Sequence, residues 1–549
     1  MKRHFFLVLL LFFSSLMPAQ TDTAAVDLSQ EQFRDARQKI HRALHLINRF
    51  YVDTVDFGQL AETVIREMLK ELDPHSNYFT AEQIRRANES LQGSFQGIGV
   101  EYQILDDTAV IIMVHDDGPA DRGGLRQGDR LLAIDSDTAV GSHISNRWIS
   151  QRVRGPGGTT LELQVVRRTE PDPVALNITR GTIRTHSLVA AFMLDERTGY
   201  IRLNRFMRTT VQEFEDALED LKEQGMKSLV LDLRGNSGGF LTSAVELADH
   251  FLRRDRLIVY TEGHNHPRVD YQSTTRGKFK RGDLVVLIDE RSASASEIVT
   301  GAIQDWDRGV VIGSRTYGKG LVQKPYNFHD GAAVRLTIAR YYTPLGRSIQ
   351  RPYDQGRERY YEELNEKIRQ GVYSVVDSAD FPDSLRFVTP GGKVVFGGGG
   401  IMPDIIVPAD TTGNSSFTSA LRRRSMYNRF LLEHIGAAKD SLQTLYPDAQ
   451  TFVSVSGQNH DALKPFLHFA QHQGIDVPDT LSQEQITHID RHLRATLGRL
   501  LFGQQALWMV QSEHDPMILT AVDVISDIKS ASRFRLFRSS QEEETEEEL

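Results

Sequence analysis

Residues 283–306 read DLVVLIDERSASASEIVTGAIQDW. Leu284 to Asp289 is a short, almost unbroken apolar run, the pattern of a strand buried on both faces. From Ile298 onward, Val299, Ala302, Ile303 and Trp306 recur at helical spacing, so a helix follows with that row turned inward. Between strand and helix lie three serines separated by alanines. A serine there stands at a helix N-terminus, where free N–H groups and the helix dipole stabilise an oxyanion, and alanine neighbours let a carbonyl approach. Taken alone, the same pattern is also that of a helix cap with no chemistry.

The alternation continues on both sides. Gly199 to Leu203 reads as a strand, Val211 to Leu221 as a helix, Leu229 to Leu233 as a buried strand and Leu241 to Leu252 as a helix. Strands alternating with helices from about 171 to 410 imply an α/β domain with a largely parallel central sheet. Downstream, Thr316-Tyr317-Gly318-Lys319-Gly320 places a lysine between two glycines beside apolar residues. A lysine stripped of water loses preference for its charged form, and its pKa falls toward that of a useful general base. Gln323 lies four residues on, the same face in helix or strand, where it can orient the amine. Read alone, Lys319 is equally a surface turn.

Upstream of the α/β domain, residues 91–170 form a small β-rich module. Gly97-Ile98-Gly99-Val100 opens a strand, Ala109 to Val114, Leu131 to Ile134 and Leu161 to Val166 continue it, and a short helix spans Ile144 to Val153. Residues 21–90 are helical, with stripes Phe33, Ile40, Leu44, Ile47, Phe50 and Val64, Ile65, Met68, Leu69 expected to pack on the body or to pair subunits. Residues 411–549 read as a mostly helical extension with an acidic tail.

At 549 residues the chain is long enough for several domains. Its net charge of -9 is dominated by six glutamates in the terminal QEEETEEEL, and the body carries no basic patch suited to nucleic acid. Lys2, Arg3 and His4, the apolar run Phe5 to Phe13, and then Ser14, Ser15 and Met17-Pro18-Ala19-Gln20 have the layout of a secretory signal peptide over residues 1–20. Export, to the periplasm or an equivalent compartment, follows as an expectation, with a retained membrane anchor as the alternative. There are no cysteines, hence no disulfide and no thiol nucleophile. The histidine pairs His468/His472 and His488/His492 have helical spacing but no HExxH glutamate, so no metal and no cofactor is expected.

Several motifs together resemble the carboxyl-terminal processing proteases, the tail-specific Ser–Lys peptidases that carry a PDZ domain. They are SASASE, then YGKG with the glutamine beyond it, Leu72-Asp73-Pro74-His75-Ser76-Asn77-Tyr78, Phe95-Gln96-Gly97-Ile98-Gly99-Val100 and Asp232-Leu233-Arg234-Gly235-Asn236. Tyr341 to Gln350 and Gly400-Ile401-Met402-Pro403-Asp404-Ile405 complete the set. The resemblance runs in order over about 30–408 and leaves the C-terminal region uncovered. It implies a crotonase/Clp-protease-like core over 171–410. It also implies Ser294 as nucleophile, Lys319 as base, Gln323 holding the lysine, and an oxyanion hole from Ala295 with Gly238 or Gly239. The 91–170 module then becomes a PDZ domain whose Gly97, Ile98, Gly99 and Val100 bind a C-terminal carboxylate and begin an apolar pocket. Arg154 is the candidate link between PDZ ligand and protease. The partners implied are protein or peptide substrates bound by their C-termini, with a homo-oligomer or adaptor engaging the helical regions.

Two rival readings belong beside this one. Gly235-Asn236-Ser237-Gly238-Gly239 matches G-x-S-x-G between a strand and a helix, so Ser237 is the candidate nucleophile of a Ser-His-Asp hydrolase, with His264, His266 or His329 as base. A non-catalytic PDZ scaffold is the other, against which stand the intact Ser294, Lys319 and Gln323.

Overall fold

The computed structural model describes residues 22–370, 382–408, 410, 413–435, 439–457 and 461–528. The signal-peptide and acidic-tail readings fall outside the described residues. Among the described residues, no helix is long and apolar enough to cross a membrane.

The chain divides into two compact units, Met1–Met68 and Leu69–Leu549. In the first, the helix Asp22–Phe50 precedes Phe57–Lys70, whose last residues enter the second unit. Phe33, Ile40 and Phe50 of the expected apolar stripe are exposed, whereas Leu44 and Ile47 are half-buried.

The second unit begins with a strand, Asn77–Phe79, and a helix, Ala81–Gln92, capped by Thr80. A β-module follows with strand order Val100–Leu105, Thr108–Val114, Arg130–Ile134, Thr160–Val166, Val174–Thr179. Its period-2 pattern sorts cleanly, with Leu161, Leu163 and Val165 inward and the residues between them exposed. Val100–Leu105 bonds to a neighbour on one side only and is an edge strand of the sheet. The strand expected to open at Gly97 is broken. Ser94–Gly97 pairs elsewhere, with Gly181–Arg184, because Gly99 takes a left-handed conformation (φ 78°) that ends one strand before the next begins.

The α/β core is built on a six-stranded sheet ordered Leu188–Met193, Thr198–Leu203, Ser228–Asp232, Leu284–Ile288, Val310–Gly313, Ile405–Ile406. The first pair is antiparallel and the other four are parallel. Strand periodicity divides the buried residues between two layers. Leu229, Leu231, Leu284, Val286 and Ile288 join the core under the helices Thr210–Glu223, Leu241–Asp249 and Ala295–Asp305. Val230, Val285, Leu287 and Ile312 face the other way, onto Met509, Met517, Ile518, Ala521 and Ile525. The extension with no legible motif therefore supplies the second layer of the α/β sheet. Its upstream helices form another core with Phe417, Phe430 and Phe466, into which Ile112 of the β-module inserts.

A second, antiparallel sheet stands apart from the α/β alternation. It joins Asn77–Phe79, Ala333–Tyr342, Leu257–Gly263 and His266–Gln272, with Leu321–Asn327 pairing along Ala333–Tyr342. The Leu321–Tyr342 hairpin turns at Gly331 (φ 84°), and it carries Gln323.

Candidate active site

The turn after strand Leu284–Ile288 is held by Asp289, whose Oδ1 accepts from the amides of Gly235 (2.8 Å) and Ser292 (3.0 Å). The three serines that follow have separate fates. Ser292 Oγ donates to the Leu233 carbonyl (2.8 Å) and Ser296 Oγ to the Asn236 carbonyl (2.8 Å), both fully buried. Ser294, between them, is half-buried and sits at φ 57°, ψ −111°. That backbone is costly for a residue with a Cβ, by about 1–3 kcal/mol. It places Ser294 directly before the first turn of the Ala295–Asp305 helix.

The glycine-rich turn 235–239 lies against it. A Cβ on Gly238 would stand 2.8 Å from Ser294 Cβ and 3.0 Å from the Ala295 amide nitrogen, so only glycine fits there. The Gly238 amide donates to Asn236 Oδ1 (3.0 Å), and the Phe206 backbone bonds to Gly238 and Phe240 on either side of Gly239. Ser237 is exposed on this turn, and no histidine hydrogen-bonds to it among the described residues. His266 instead faces Thr261.

One carboxylate ties the serine segment to the lysine segment. Glu297 is fully buried and accepts the Ser294 amide (2.7 Å), the Lys319 amide (3.0 Å), the Gly318 amide (2.7 Å) and the Thr316 hydroxyl (2.6 Å). Burial pushes its carboxyl above the usual range, against the pull of these four donors. Tyr341, also buried, sets its hydroxyl between the carbonyls of Ser294 (3.0 Å) and Lys319 (2.5 Å). Both residues lie in motifs quoted above, but the sequence assigns neither a role. Ser294-x-x-Glu297 has the spacing of a capping box, a signal that was there to be read.

Lys319 Nζ donates to Gln323 Oε1 (2.9 Å), and Gln323 Nε2 donates onward to the His75 carbonyl (2.6 Å). Among the described residues, no hydrogen bond joins the Lys319 amine to the Ser294 hydroxyl. Burial, helped by Arg335, draws the lysine below its ordinary pKa, while Glu297 and Asp73 pull it up. The His75 ring, buried beside the amine, is lowered to about 3 and is neutral.

In the β-module, Ile98 is almost fully buried and belongs to the same hydrophobic core as Ala109 and Leu131. Its carbonyl accepts the Ala120 amide (2.8 Å), and that of Gly99 accepts the His115 amide (3.0 Å). Val100 starts the edge strand. Tyr102 on that strand donates to the Asn146 carbonyl (3.1 Å) at the start of the Asn146–Val153 helix and ties the strand to it. Arg154 closes the helix with its guanidinium 4.1 Å over the Phe95 ring and 3.4 Å from Glu89.

A buried serine–lysine neighbourhood on an α/β sheet, joined to a module with an open edge strand, defines a serine-type peptidase with a peptide-binding domain. Residues 197–355 match the model of peptidase family S41, residues 96–178 that of the PDZ domain, and residues 12–83 that of the activating protease CtpB N-terminal domain. A probable CtpA-like serine protease of Staphylococcus haemolyticus is 31% identical over 393 residues, 69% of this chain and 78% of that protein. The carboxy-terminal processing protease CtpB of Bacillus subtilis is 31% identical over 330 residues, 60% of this chain and 68% of that protein. Among solved structures, a photosystem II D1 C-terminal processing protease is 28% identical, covering 55% of this chain and 82% of that one with a TM-score of 0.33. The chain belongs to the carboxy-terminal processing proteases and is a serine peptidase with a PDZ domain.

Proposed function

We propose that this peptidase works through a Ser294–Lys319 dyad and selects exported proteins by their C-terminal tails. The observation that carries the reading is the shared Glu297 carboxylate, which binds the main chain of both residues at once. Neutral Lys319 takes the Ser294 proton as the hydroxyl attacks a peptide carbonyl and passes it to the departing amine as the C–N bond breaks; water then hydrolyses the acyl-enzyme, releasing the carboxylic acid and restoring the Ser294 hydroxyl. Gln323 holds the amine. Ala295 N–H supplies one oxyanion donor. The other is Gly239, since the Gly238 amide is already engaged by Asn236.

The PDZ domain adds a substrate tail along the open edge of Val100–Leu105, with its carboxylate at the amides of residues 97–100. Arg154, touching Phe95 and Glu89, carries the effect of that ligand toward the protease. The domains are a signal peptide 1–20, a helical region 21–90, a PDZ domain 91–170, a crotonase/Clp-protease-like core 171–410 and a helical extension 411–549. The signal peptide delivers the chain to the periplasm, and the exposed Phe33, Ile40 and Phe50 are suited to a homo-oligomer or adaptor contact.

The test is turnover of an unfolded substrate with an apolar C-terminus. Ser294→Ala and Lys319→Ala each reduce kcat on the order of 10⁴-fold or more, while Ser237→Ala leaves it near wild type. Activity that survives Ser294→Ala and disappears in Ser237→Ala would transfer the assignment to Ser237.

A further inference from the structure

The turn at residues 73–76 is far from the nucleophile in sequence, yet it is packed like machinery. Asp73 and His75 are almost fully buried and Ser76 completely so. Asp73 Oδ1 accepts the amides of His75 (2.7 Å) and Ser76 (2.8 Å), and Oδ2 accepts the Ser76 hydroxyl (2.6 Å). Ser76 Oγ accepts the Thr337 amide (3.1 Å), and Thr337 is the cross-strand partner of Gln323. From the other side, the His75 ring meets the Tyr360 hydroxyl (3.1 Å) on the helix Arg357–Gln370. Its own carboxylate and two neighbouring elements thus fix one short turn, and the group it presents is the His75 carbonyl, 2.6 Å from Gln323 Nε2.

A glutamine amide has two ends of similar shape and opposite polarity. A carbonyl oxygen only accepts, so facing His75 O the amide must present its NH₂ there and its oxygen to Lys319. Turned the other way, the amide oxygen would face the His75 carbonyl, acceptor against acceptor, and the NH₂ would donate to the lone pair with which the neutral amine must take the Ser294 proton. We propose that the Asp73–Ser76 turn is a positioning element of the peptidase: through the His75 carbonyl it sets the polarity of the Gln323 amide, and through Gln323 it aims the Lys319 amine. The proposal rests on the dyad reading above.

The experiment is a double-mutant cycle in the full-length protein, with kcat and KM measured separately on the unfolded substrate. Asp73→Ala, which removes the turn's internal acceptor, lowers kcat about tenfold or more with KM within about twofold. Asp73→Asn, which keeps an acceptor for the two amides, restores most of it. Gln323→Ala is impaired to a similar degree, and Asp73→Ala added to Gln323→Ala lowers kcat by less than about twofold further, because both act through one amide. Effects that multiply in the double variant overturn the proposal, since the turn then acts by another route. So does a change in KM alone. If Asp73→Ala loses its thermal transition, the same cycle is run with Ser76→Ala, and the same two outcomes decide. Lys319→Ala is the control. Wild-type turnover there defeats the dyad reading itself, whereas an inactive Lys319→Ala with multiplicative Asp73 and Gln323 effects defeats only the turn.

Discussion

Two carboxylates are buried at the same end of neighbouring strands, and they are stabilised in opposite ways. Asp232, ending Ser228–Asp232, is met by two cations, Arg234 (Nη2 at 2.7 Å) and Arg202, and by the neutral Tyr200 hydroxyl at 2.6 Å. Glu297, one turn into the helix after Leu284–Ile288, is met by three amides and a hydroxyl, all neutral. Burial alone would raise both. At Asp232 the two arginines outweigh it and hold the carboxyl well below the usual range; at Glu297 the neutral donors do not, and it stays raised. The contrast matches their surroundings. Arg234 continues to Asp515 (2.7 Å), and Arg202 stacks on Trp508 (3.8 Å), so the Asp232 cluster rivets the C-terminal helices to the sheet. Glu297 arranges main chain around Ser294 and Lys319 without bringing in a cation that would suppress the lysine further. Paired charges lock layers together, whereas neutral donors shape a site and leave its field open.

The comparison is most severely tested at Glu297. Glu297→Gln puts an NH₂ where N–H groups already point, so at least two buried donors lose their acceptor. The Ser294 and Lys319 segments then separate. The expected outcome is a fall in kcat on the order of 10²-fold or more, larger than the loss in melting temperature alone explains. A variant with near wild-type turnover would show that the carboxylate is ordinary capping.

At Asp232 the roles reverse. Arg234→Met leaves a buried carboxylate short of a partner and costs about 3–5 kcal/mol, read as a lower urea midpoint. Where the variant is still folded, kcat stays within about twofold, because no group of the site has moved. A large loss of turnover in the folded protein would mean that the cluster serves the chemistry too.

Acid sharpens the same difference. A carboxyl held low in the folded state contributes stability above the unfolded value of about 3.9, and that contribution is lost as pH falls toward the folded value. The gap in unfolding free energy between wild type and Arg234→Met therefore narrows below about pH 4. Glu297 has the opposite sign: with its folded pKa raised, its contribution is present in acid and declines as pH rises through that value. The stability gap between wild type and Glu297→Gln, followed by urea unfolding across pH, should consequently change in the other direction.

Part of the candidate site is legible in the chain itself, and the reasons differ residue by residue. The shift from strand to helical period around Ser294 is local, and so is the lysine between glycines, so both were visible. Glu297 was legible in principle through its capping spacing, but its bonds to Gly318 and Lys319 join segments about twenty residues apart. The His75 carbonyl was not legible at all, since a main-chain atom leaves no mark in residue identity. Nor was the second layer of the sheet. Met517, Ile518, Ala521 and Ile525 declare an apolar helix face, but nothing in their spacing says that the partner is Val230, Val285 and Leu287. Amphipathic pattern announces that a face is buried; which surface it meets is a property of the whole fold.

The smallest expected effect separates the rivet from the extension's other contact. Beyond the Asp232 cluster, the same helical region touches the PDZ edge strand, where Arg499 pairs with Glu101 and Asn428 bonds to Gln103 (2.7 Å). These side chains keep access to water, Arg499 at 26% and Glu101 at 35% exposure. A pair so placed contributes at most about 1 kcal/mol and is screened by salt. Arg499→Ala should therefore shift the urea midpoint slightly, less at 1 M salt than at low ionic strength, whereas the Arg234→Met loss barely responds to salt because its charges are sealed from solvent. Were the Arg499 effect to equal that of Arg234, the distinction between a buried rivet and a solvated contact would fail, and the PDZ domain would have to be counted as part of the same rigid block as the protease sheet.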